Sequence, residues 1–251
     1  MTNLASNWIP SSRIRLAVTA AGALALAAAF GAFVSLWFLA LLAPALVSAW
    51  IAFVLTSIRR QLSDGGGGWQ RRVHELVISH LEAPGDAAVL DIGCGDASLL
   101  AELVATAPGV GATGVDFWGA TWDYAKAACE ARLPAASFHR MDAAHLDFEG
   151  AAFDAVVSVM CFHEVRTPAG CATSGPILAL GEALRVLRPG GQFVLVDRFD
   201  DAADFDPAAL ASLLGSVTEV HREPLVTALA MPWPLSTRRA MGPTEVLWGR
   251  K

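Results

Sequence analysis

The residues best suited to ligand chemistry lie in one stretch, Ala88–Leu100, which reads AVLDIGCGDASLL. An apolar run ends at Asp91, two glycines follow at Gly93 and Gly95, and a helical pattern begins within a few residues. This order predicts a buried parallel strand, a tight turn and the start of a helix. A ligand can approach the backbone closely at the two glycines because they have no Cβ.

The spacing of this loop separates it from a dinucleotide-binding loop. A pyrophosphate site has the pattern G-x-G-x-x-G, whereas this chain has G-x-G-x-A and places Asp91 before the first glycine. A carboxylate at that point would repel a pyrophosphate. It suits a ligand that carries an ammonium group.

The segment D-I-G-C-G-D-A resembles motif I of the class I S-adenosylmethionine-dependent methyltransferases, whose pattern is E/D-x-G-x-G-x-G. Ala97 stands at the third glycine and adds one methyl group near the ligand. The segment R-P-G-G at 188–191, before an apolar strand, is a second resemblance, and together they cover about residues 69–250. The resemblance implies an α/β, Rossmann-like, doubly wound sheet of seven mostly parallel strands with an antiparallel last strand.

The resemblance also implies how S-adenosyl-L-methionine is held. Asp116, which ends the second strand, would accept hydrogen bonds from the ribose hydroxyls, and Phe117–Trp118 would flank the adenine by stacking. Asp142 would hold the adenine amino group. The alternatives are a helix N-cap for Asp116 and a simple turn acid for Asp142. The implied cofactor-binding residues are Asp91, Gly93, Cys94, Gly95, Asp116, Phe117, Asp142, Ala143 and Val159.

A possible acid–base pair, His163–Glu164, follows the apolar strand FDAVVSV at 153–159. Ligands of open parallel sheets bind at the carboxyl ends of the strands, and an imidazole there could take a proton from an acceptor hydroxyl. We therefore name His163 as the candidate catalytic residue. The alternative is a structural residue at a helix start, since alignment of the reactants can supply much of the acceleration.

No metal site is predicted. The four cysteines form no C-x-x-C pair, and their spacing is unlike that of a zinc site, which favours a reducing compartment. They are Cys94, Cys129, Cys161 and Cys171.

The N-terminal part of the chain predicts a membrane anchor. Residues 16–58 are 43 residues without a charge, and one span needs about 20 apolar residues. Arginines flank this stretch on both sides, which predicts a two-helix transmembrane hairpin with both ends in the cytoplasm; they are Arg13, Arg15, Arg59 and Arg60. The turn falls either near 31–37 or near Ala43–Pro44.

Two other interpretations of this stretch remain open. A cleaved signal peptide has an apolar region of only about 7–15 residues, which is far shorter than this one. A buried helical hairpin of a soluble protein is the second alternative. The predicted organisation is an N-terminal segment and hairpin at 1–60, a glycine-rich linker at 61–68 and a methyltransferase domain at 69–251.

Charge is distributed unevenly along the chain. Residues 1–63 carry four arginines and no acid; because the whole chain carries −6, the remainder carries −10. An acidic domain argues against nucleic acid as a substrate, since phosphate binding needs a basic surface. The basic end suits anionic lipid headgroups.

The remaining elements follow from periodicity and turn residues. Helices are predicted at about 69–81, 98–107, 122–132, 177–187 and 207–214. Strands are predicted at about 88–91, 111–116, 136–140, 153–159, 192–197, 217–221 and 245–248.

The sequence therefore predicts a membrane-anchored, S-adenosylmethionine-dependent methyltransferase. The anchor favours a small, lipophilic acceptor reached from the cytoplasmic face of the cell membrane. No N-P-P-Y-like segment follows the fourth strand, so O- or C-methylation is favoured. The alternatives are an NAD(P)-dependent oxidoreductase, which the loop spacing and Asp91 oppose, and a non-catalytic membrane protein that binds S-adenosylmethionine.

Overall fold

The computed structural model describes residues 8–82, 85–119 and 125–251. Its residues group into two compact units, which divide between Gln70 and Arg71. The first unit holds the apolar N-terminal helices, and the second holds the sheet and the candidate site.

The first unit is a pair of long helices, α1 (Ser11–Gly31) and α2 (Leu42–Leu62), joined by a short 3₁₀ helix at Leu36–Leu41. Both are long and apolar enough to cross a membrane, with mean hydropathies of 1.7 for Ser11–Gly31 and 2.4 for Leu36–Leu62. Most of their large apolar side chains are exposed. The Arg59 guanidinium donates to the carbonyl of Ile9, so the two open ends of the hairpin lie together.

The structure selects between the two predicted turns. α1 ends at Gly31, and Pro44 already lies inside α2, so the chain reverses within the 31–37 alternative. A Cβ at Gly31 would overlap the ring of Phe38, which explains a glycine at this reversal. The segment predicted as a linker, 61–68, starts within α2 and continues as a turn in which the N–H groups of Gly66 and Gly68 both donate to Ser63 O at 3.0 Å.

The second unit is a seven-stranded sheet with the strand order β3-β2-β1-β4-β5-β7-β6. β1 to β5 run parallel, and β7 runs antiparallel to both of its neighbours, β5 and β6, which confirms the predicted fold class. The strands are β1 (Ala88–Ile92), β2 (Gly111–Asp116), β3 (Ser137–Arg140), β4 (Phe153–Val159), β5 (Leu187–Asp197), β6 (Glu219–Pro224) and β7 (Glu245–Arg250). The helices are α3 (Trp69–Ser79), α4 (Ser98–Thr106), α5 (Lys126–Arg132), α6 (Gly175–Val186), α7 (Pro207–Leu214) and α8 (Leu225–Ala228).

The central strands are buried because helices cover the sheet. Val89 and Leu90 of β1 and Val156 of β4 are fully inaccessible, as expected for parallel strands that are apolar along their whole length. β1 lies between β2 and β4, with Asp91 opposite both Gly114 and Val157. The carboxyl ends of β1, β2, β4 and β5 therefore meet at one edge of the sheet.

Several element boundaries differ from the prediction. The R-P-G-G segment, predicted as a tight reversal, lies inside β5, where the pairing with β4 is irregular between Leu187 and Gln192. The strand predicted at 217–221 is β6, Glu219–Pro224, an edge strand whose exposed residues give a weak periodic signal. The helix predicted from Trp122 includes α5, whereas Trp122 itself lies outside the described residues.

Candidate active site

The glycine loop after β1 has a backbone that needs glycine at two positions. Gly93 has φ +79° and Gly95 has φ +56°, a region that favours glycine. A Cβ on Gly93 would also overlap the side chain of Cys161, which follows β4. Ala97 adopts φ 61° at the position where motif I has its third glycine, and α4 begins at the next residue. The loop therefore packs directly against the chain that leaves β4.

The N–H groups of this loop are used within the protein. Those of Gly93 and Cys94 donate to Val115 O at 2.8 and 3.0 Å. That of Gly95 donates to Oδ2 of Asp116 at 2.9 Å. Cys94, which the sequence analysis places among the cofactor-binding residues, donates its N–H to β2, and its thiol is buried beside Gly114.

Asp91 is a buried carboxylate at the start of this loop, with 2% of its surface exposed. Burial raises the pKa of Asp91 well above its usual range, and the carboxylate of Asp116 raises it further. Within the described residues, no hydrogen bond to the Asp91 side chain is formed. A cation bound at this carboxylate would stabilise its charged form and so oppose the effects of burial and of Asp116 on its pKa.

Asp116 connects the end of β2 to the glycine loop. Its Oδ1 accepts from the N–H of Trp118 at 2.7 Å, while Oδ2 accepts from Gly95. Burial raises the pKa of Asp116, although these backbone N–H groups act in the opposite direction. Because a carboxylate offers about four acceptor positions, roughly two remain for ligand hydroxyls.

The two aromatic residues after β2 lie in different places. The Trp118 indole donates from Nε1 to Gly95 O at 2.9 Å, so this side chain reaches the glycine loop. Phe117 is 59% exposed, and the Arg140 guanidinium lies 5.0 Å from its ring centroid. Of the two aromatic residues predicted to flank the adenine, Trp118 is therefore a stronger candidate than Phe117 for contact with a bound ring. The adjacent F-W pair was the available signal.

Asp142 and Ala143 lie in the loop after β3. The N–H of Met141 donates to Asp116 O at 3.2 Å, which holds this loop against the end of β2. The Asp142 side chain is exposed and accepts from the N–H of Ala144 at 2.9 Å. This contact is the one expected of a simple turn acid, the alternative interpretation of Asp142. It uses only Oδ1, so Oδ2 could still accept from a ligand.

The carboxyl end of β4 joins the two halves of the site. Val159 is buried at the last position of the strand, and the Ser158 hydroxyl donates to Ile92 O of β1 at 2.7 Å. Burial raises the pKa of the Cys161 thiol, and four carboxylates add to this rise: those of Asp116, Asp197, Asp91 and Glu164. Cys161 therefore lies among the acids of the glycine loop and those that surround His163.

His163 is bonded to a residue that sequence reasoning did not identify. Its Nδ1 lies 2.6 Å from Oδ1 of Asp197, the last residue of β5, whose side chain is 1% exposed. Glu164, the predicted partner, is further away, at 3.7 Å from Nε2. The signal for Asp197 was an acid at the end of an apolar strand. Its pairing with His163 depends on β4 and β5 being neighbours, which the sequence does not state.

Among the described residues, no group of three or more histidine, cysteine, aspartate or glutamate side chains is arranged to hold a metal ion. The groups that the described residues bring together at this edge of the sheet are carboxylates, one imidazole and the backbone of the glycine loop.

Comparison with protein families places this site in a known context. Residues 89–191 match the methyltransferase domain family. A demethylmenaquinone methyltransferase of Thermus thermophilus is 33% identical over 141 residues, which is 56% of this chain and 59% of that protein. One of Deinococcus radiodurans is 31% identical over 165 residues, or 65% of this chain and 60% of that protein. The match thus spans about three-fifths of the length of these relatives.

Solved structures share the fold at low sequence identity. The N-methyltransferase NodS from Bradyrhizobium japonicum, in complex with S-adenosyl-L-homocysteine, has a TM-score of 0.53 at 17% identity, over 72% of this chain and 86% of that chain. The [4+2]-cyclase SpnF has a TM-score of 0.51 at 19% identity, over 72% and 80% of the two chains. Because one fold carries both activities, the reaction must be argued from the site.

Proposed function

We propose that the chain is a class I S-adenosylmethionine-dependent methyltransferase that transfers a methyl group to a small, lipophilic acceptor, in line with its match to the methyltransferase domain family over residues 89–191 and its similarity to the two relatives. The observation that carries this proposal is a difference between two parts of the loop. The N–H groups at Gly93, Cys94 and Gly95 are already bonded within the protein, whereas Asp91 offers a buried carboxylate that suits a cationic group. A pyrophosphate would need free N–H donors, but those of Gly93, Cys94 and Gly95 are already used. The same difference disfavours an NAD(P)-dependent oxidoreductase.

The described residues fit S-adenosylmethionine as a ligand. Asp91 would pair with the amino group of its methionine part, and Asp116 would use its remaining acceptor positions for the ribose hydroxyls. Asp142 would accept from the adenine amino group, with the Ala143 backbone and Val159 lining the same edge. When bound, the cofactor supplies an electrophilic methyl carbon on a sulfonium sulfur. His163 would take up a proton from the acceptor.

We propose a hydroxylated aromatic acceptor of the quinol type, methylated at carbon or oxygen. Support comes from the two relatives named as demethylmenaquinone methyltransferases. It also comes from the apolar hairpin, which would bring the site to a membrane where such acceptors dissolve. Four flanking arginines favour a cytoplasmic location for both ends of the hairpin.

The cofactor proposal is tested by titrating the detergent-solubilised full chain with S-adenosylhomocysteine in a calorimeter. We expect Asp91→Asn to weaken binding at least tenfold, because the variant removes the charge that meets the ligand ammonium. Asp147→Asn is the matched control, since that side chain is 78% exposed in the loop before β4. In the wild type the affinity should fall as the pH falls, because the raised pKa of Asp91 leads to its protonation. The Asn variant should lose this part of the pH dependence.

Two results would contradict the cofactor proposal. One is an Asp91→Asn variant that binds as tightly as the wild type. The other is saturable binding of NADH by a well-folded chain that does not bind S-adenosylhomocysteine.

Catalysis is tested with methyl-labelled S-adenosylmethionine and 1,4-naphthalenediol under anaerobic conditions. Label in the extracted naphthalenediol supports the proposal. Tight cofactor binding without transfer of label, to this compound or to a membrane lipid extract, would favour the non-catalytic alternative.

A further inference from the structure

The Asp197 carboxylate is held in a fixed orientation by its own neighbours. Its Oδ2 accepts from the N–H of Phe162 at 2.7 Å, and its Oδ1 accepts from the N–H of Arg198 at 2.8 Å. Both donors are backbone groups, and the carboxylate is almost completely buried. This acid therefore has little freedom to turn away from the imidazole of His163.

This contact sets the tautomer of His163. A carboxylate is an acceptor only, so Nδ1, at 2.6 Å, must carry a hydrogen and donate it to Asp197. In the neutral imidazole, Nε2 is then the unprotonated nitrogen and can accept a proton. The His163 side chain is 15% exposed, so it is not sealed from the edge of the sheet.

The His163–Asp197 pair lies at the same edge of the sheet as the proposed cofactor-binding residues. Val159 pairs with Val196, so the chain that leads to His163 and the end of β5 emerge side by side. Two residues before His163, Cys161 contacts Gly93, and the carboxylates of Asp91 and Asp197 both act on its thiol. A methyl acceptor at this edge would have the glycine loop on one side and the imidazole on the other.

We propose that Asp197 is a positioning residue that fixes Nε2 of His163 as the proton acceptor for a hydroxyl group of the methyl acceptor. This inference rests on the proposed function, which supplies the hydroxylated aromatic acceptor. A phenolic hydroxyl ionises near pH 10, as tyrosine does, so an imidazole oriented in this way can take its proton.

The proton transfer can be written in full. The hydroxyl O–H bond breaks, the proton moves to Nε2, and the electron pair stays on the ring oxygen and the carbons conjugated with it. The new bond forms from that oxygen or carbon to the methyl carbon, whose bond to sulfur breaks with its electron pair remaining on sulfur. If a ring carbon is methylated, it then loses its own hydrogen as a proton to water, which restores the aromatic ring, and His163 returns its proton to the ring oxygen. If the oxygen is methylated, His163 releases its proton to water.

Several charged groups set the pH range of this step. The acids that face His163 are Asp197 on β5, Glu164 on its own 3₁₀ turn, and Asp204 in the loop before α7, where Arg198 pairs with Asp204 at 2.8 Å. Burial lowers the pKa of His163, but the charges of Asp197, Glu164 and Asp204 and the hydrogen bond to Asp197 together outweigh this effect, so the net shift is upward. The active base form is therefore populated as the pH rises through this raised pKa.

The first test needs only the wild type. The His163 ring nitrogens are followed by long-range ¹H–¹⁵N NMR in the detergent-solubilised chain without cofactor. We expect the Nδ1–H tautomer and a titration midpoint above that of a free histidine. The kcat for 1,4-naphthalenediol should rise with pH through a midpoint near that value. An Nε2–H tautomer, or a kcat that does not change with pH around the His163 midpoint, would overturn the proposal.

The second test compares variants of the two acids near the imidazole. Asp197→Asn should lower the His163 midpoint, mix the two tautomers and reduce kcat at least tenfold, with KM changed less than threefold. Glu164→Gln is the matched control, because it removes a nearby charge without releasing Nδ1. It should lower the midpoint slightly and leave the tautomer intact. A kcat for Asp197→Asn equal to that of the wild type would overturn the positioning role.

Cofactor affinity separates failure of this inference from failure of the proposed function. Both variants should bind S-adenosylhomocysteine within twofold of the wild type. If the wild type does not bind it at all, the proposed function fails. If binding is normal but 1,4-dimethoxynaphthalene, which has no ionisable hydroxyl, is methylated as fast as the diol, only the inference about proton transfer to His163 fails.

Discussion

At the scale of single residues, the site combines one strict backbone requirement with two buried acids. The positions of Gly93 and Asp91 could be predicted from the sequence, because an apolar run that ends in a carboxylate and is followed by two spaced glycines indicates a buried strand and a tight turn. Asp197 was not predictable as a partner of His163, since 34 residues separate them and only the strand order brings them together. The use of the Cys94 N–H within the fold was equally hidden, because sequence does not show which N–H groups a turn leaves free.

The backbone requirement gives a prediction for stability. Gly93→Ala should reduce the free energy of unfolding by roughly 2–4 kcal/mol, because the new Cβ would overlap Cys161 and φ is +79°. Gly181→Ala in α6 is the matched control. No atom lies within 4 Å of its new Cβ, so stability should rise by about 0.5–1 kcal/mol. Urea titrations of both variants decide the matter, and equal stability of Gly93→Ala and the wild type would contradict the close approach of the loop and β4.

At the scale of elements, the two ends of β4 have different roles. Its start is held by contacts with neighbouring strands, and its carboxyl end leads into the candidate site. Asp154 near its start accepts from the N–H of Ala88 at 2.7 Å and pairs with Arg188, so it links β1, β4 and β5. The opposite end leads to Cys161 and His163. Periodicity predicted this strand with its observed bounds. The start of β5 was missed because the R-P-G-G segment at 188–191 has the residue types of a turn, although it lies inside the strand, where the pairing with β4 is irregular.

The division of β4 into two ends can be tested at Asp154. Asp154→Ala should lower the free energy of unfolding by about 1–3 kcal/mol, since it leaves the Ala88 N–H without its partner. The affinity for S-adenosylhomocysteine should stay within twofold. Asp154→Asn keeps an acceptor oxygen and should lose less stability. A large loss of ligand affinity in an otherwise folded Asp154→Ala protein would contradict a purely structural role.

At the scale of the whole molecule, two units of opposite charge share one chain. The basic residues of the first 63 positions and the acidic balance of the remainder were evident from composition. The position of the hairpin turn was not, because Ala43–Pro44 is as plausible a helix start as the end of α1. The overlap between Gly31 and the Phe38 ring is a tertiary contact that only the structure shows.

Membrane anchoring by the hairpin predicts the behaviour of the chain in cell fractions. The wild type should remain in the membrane pellet after carbonate extraction. Ile51→Asp places a charge on an exposed position of α2, which is unfavourable by about 3 kcal/mol in the centre of a bilayer, so part of the protein should become extractable. Ser63→Asp, just after α2, should behave as the wild type does. Complete extraction of the wild type would contradict anchoring.

The internally bonded glycine loop has a consequence for turnover. Because its amides are satisfied before any ligand arrives, their hydrogen–deuterium exchange should already be slow, and little ordering entropy should be lost on binding. Under the proposed function, this loop would contact the amino acid and nucleoside parts that S-adenosylmethionine and S-adenosylhomocysteine share. The product would then compete with the substrate, and the rate in a cell would depend on how quickly S-adenosylhomocysteine is removed.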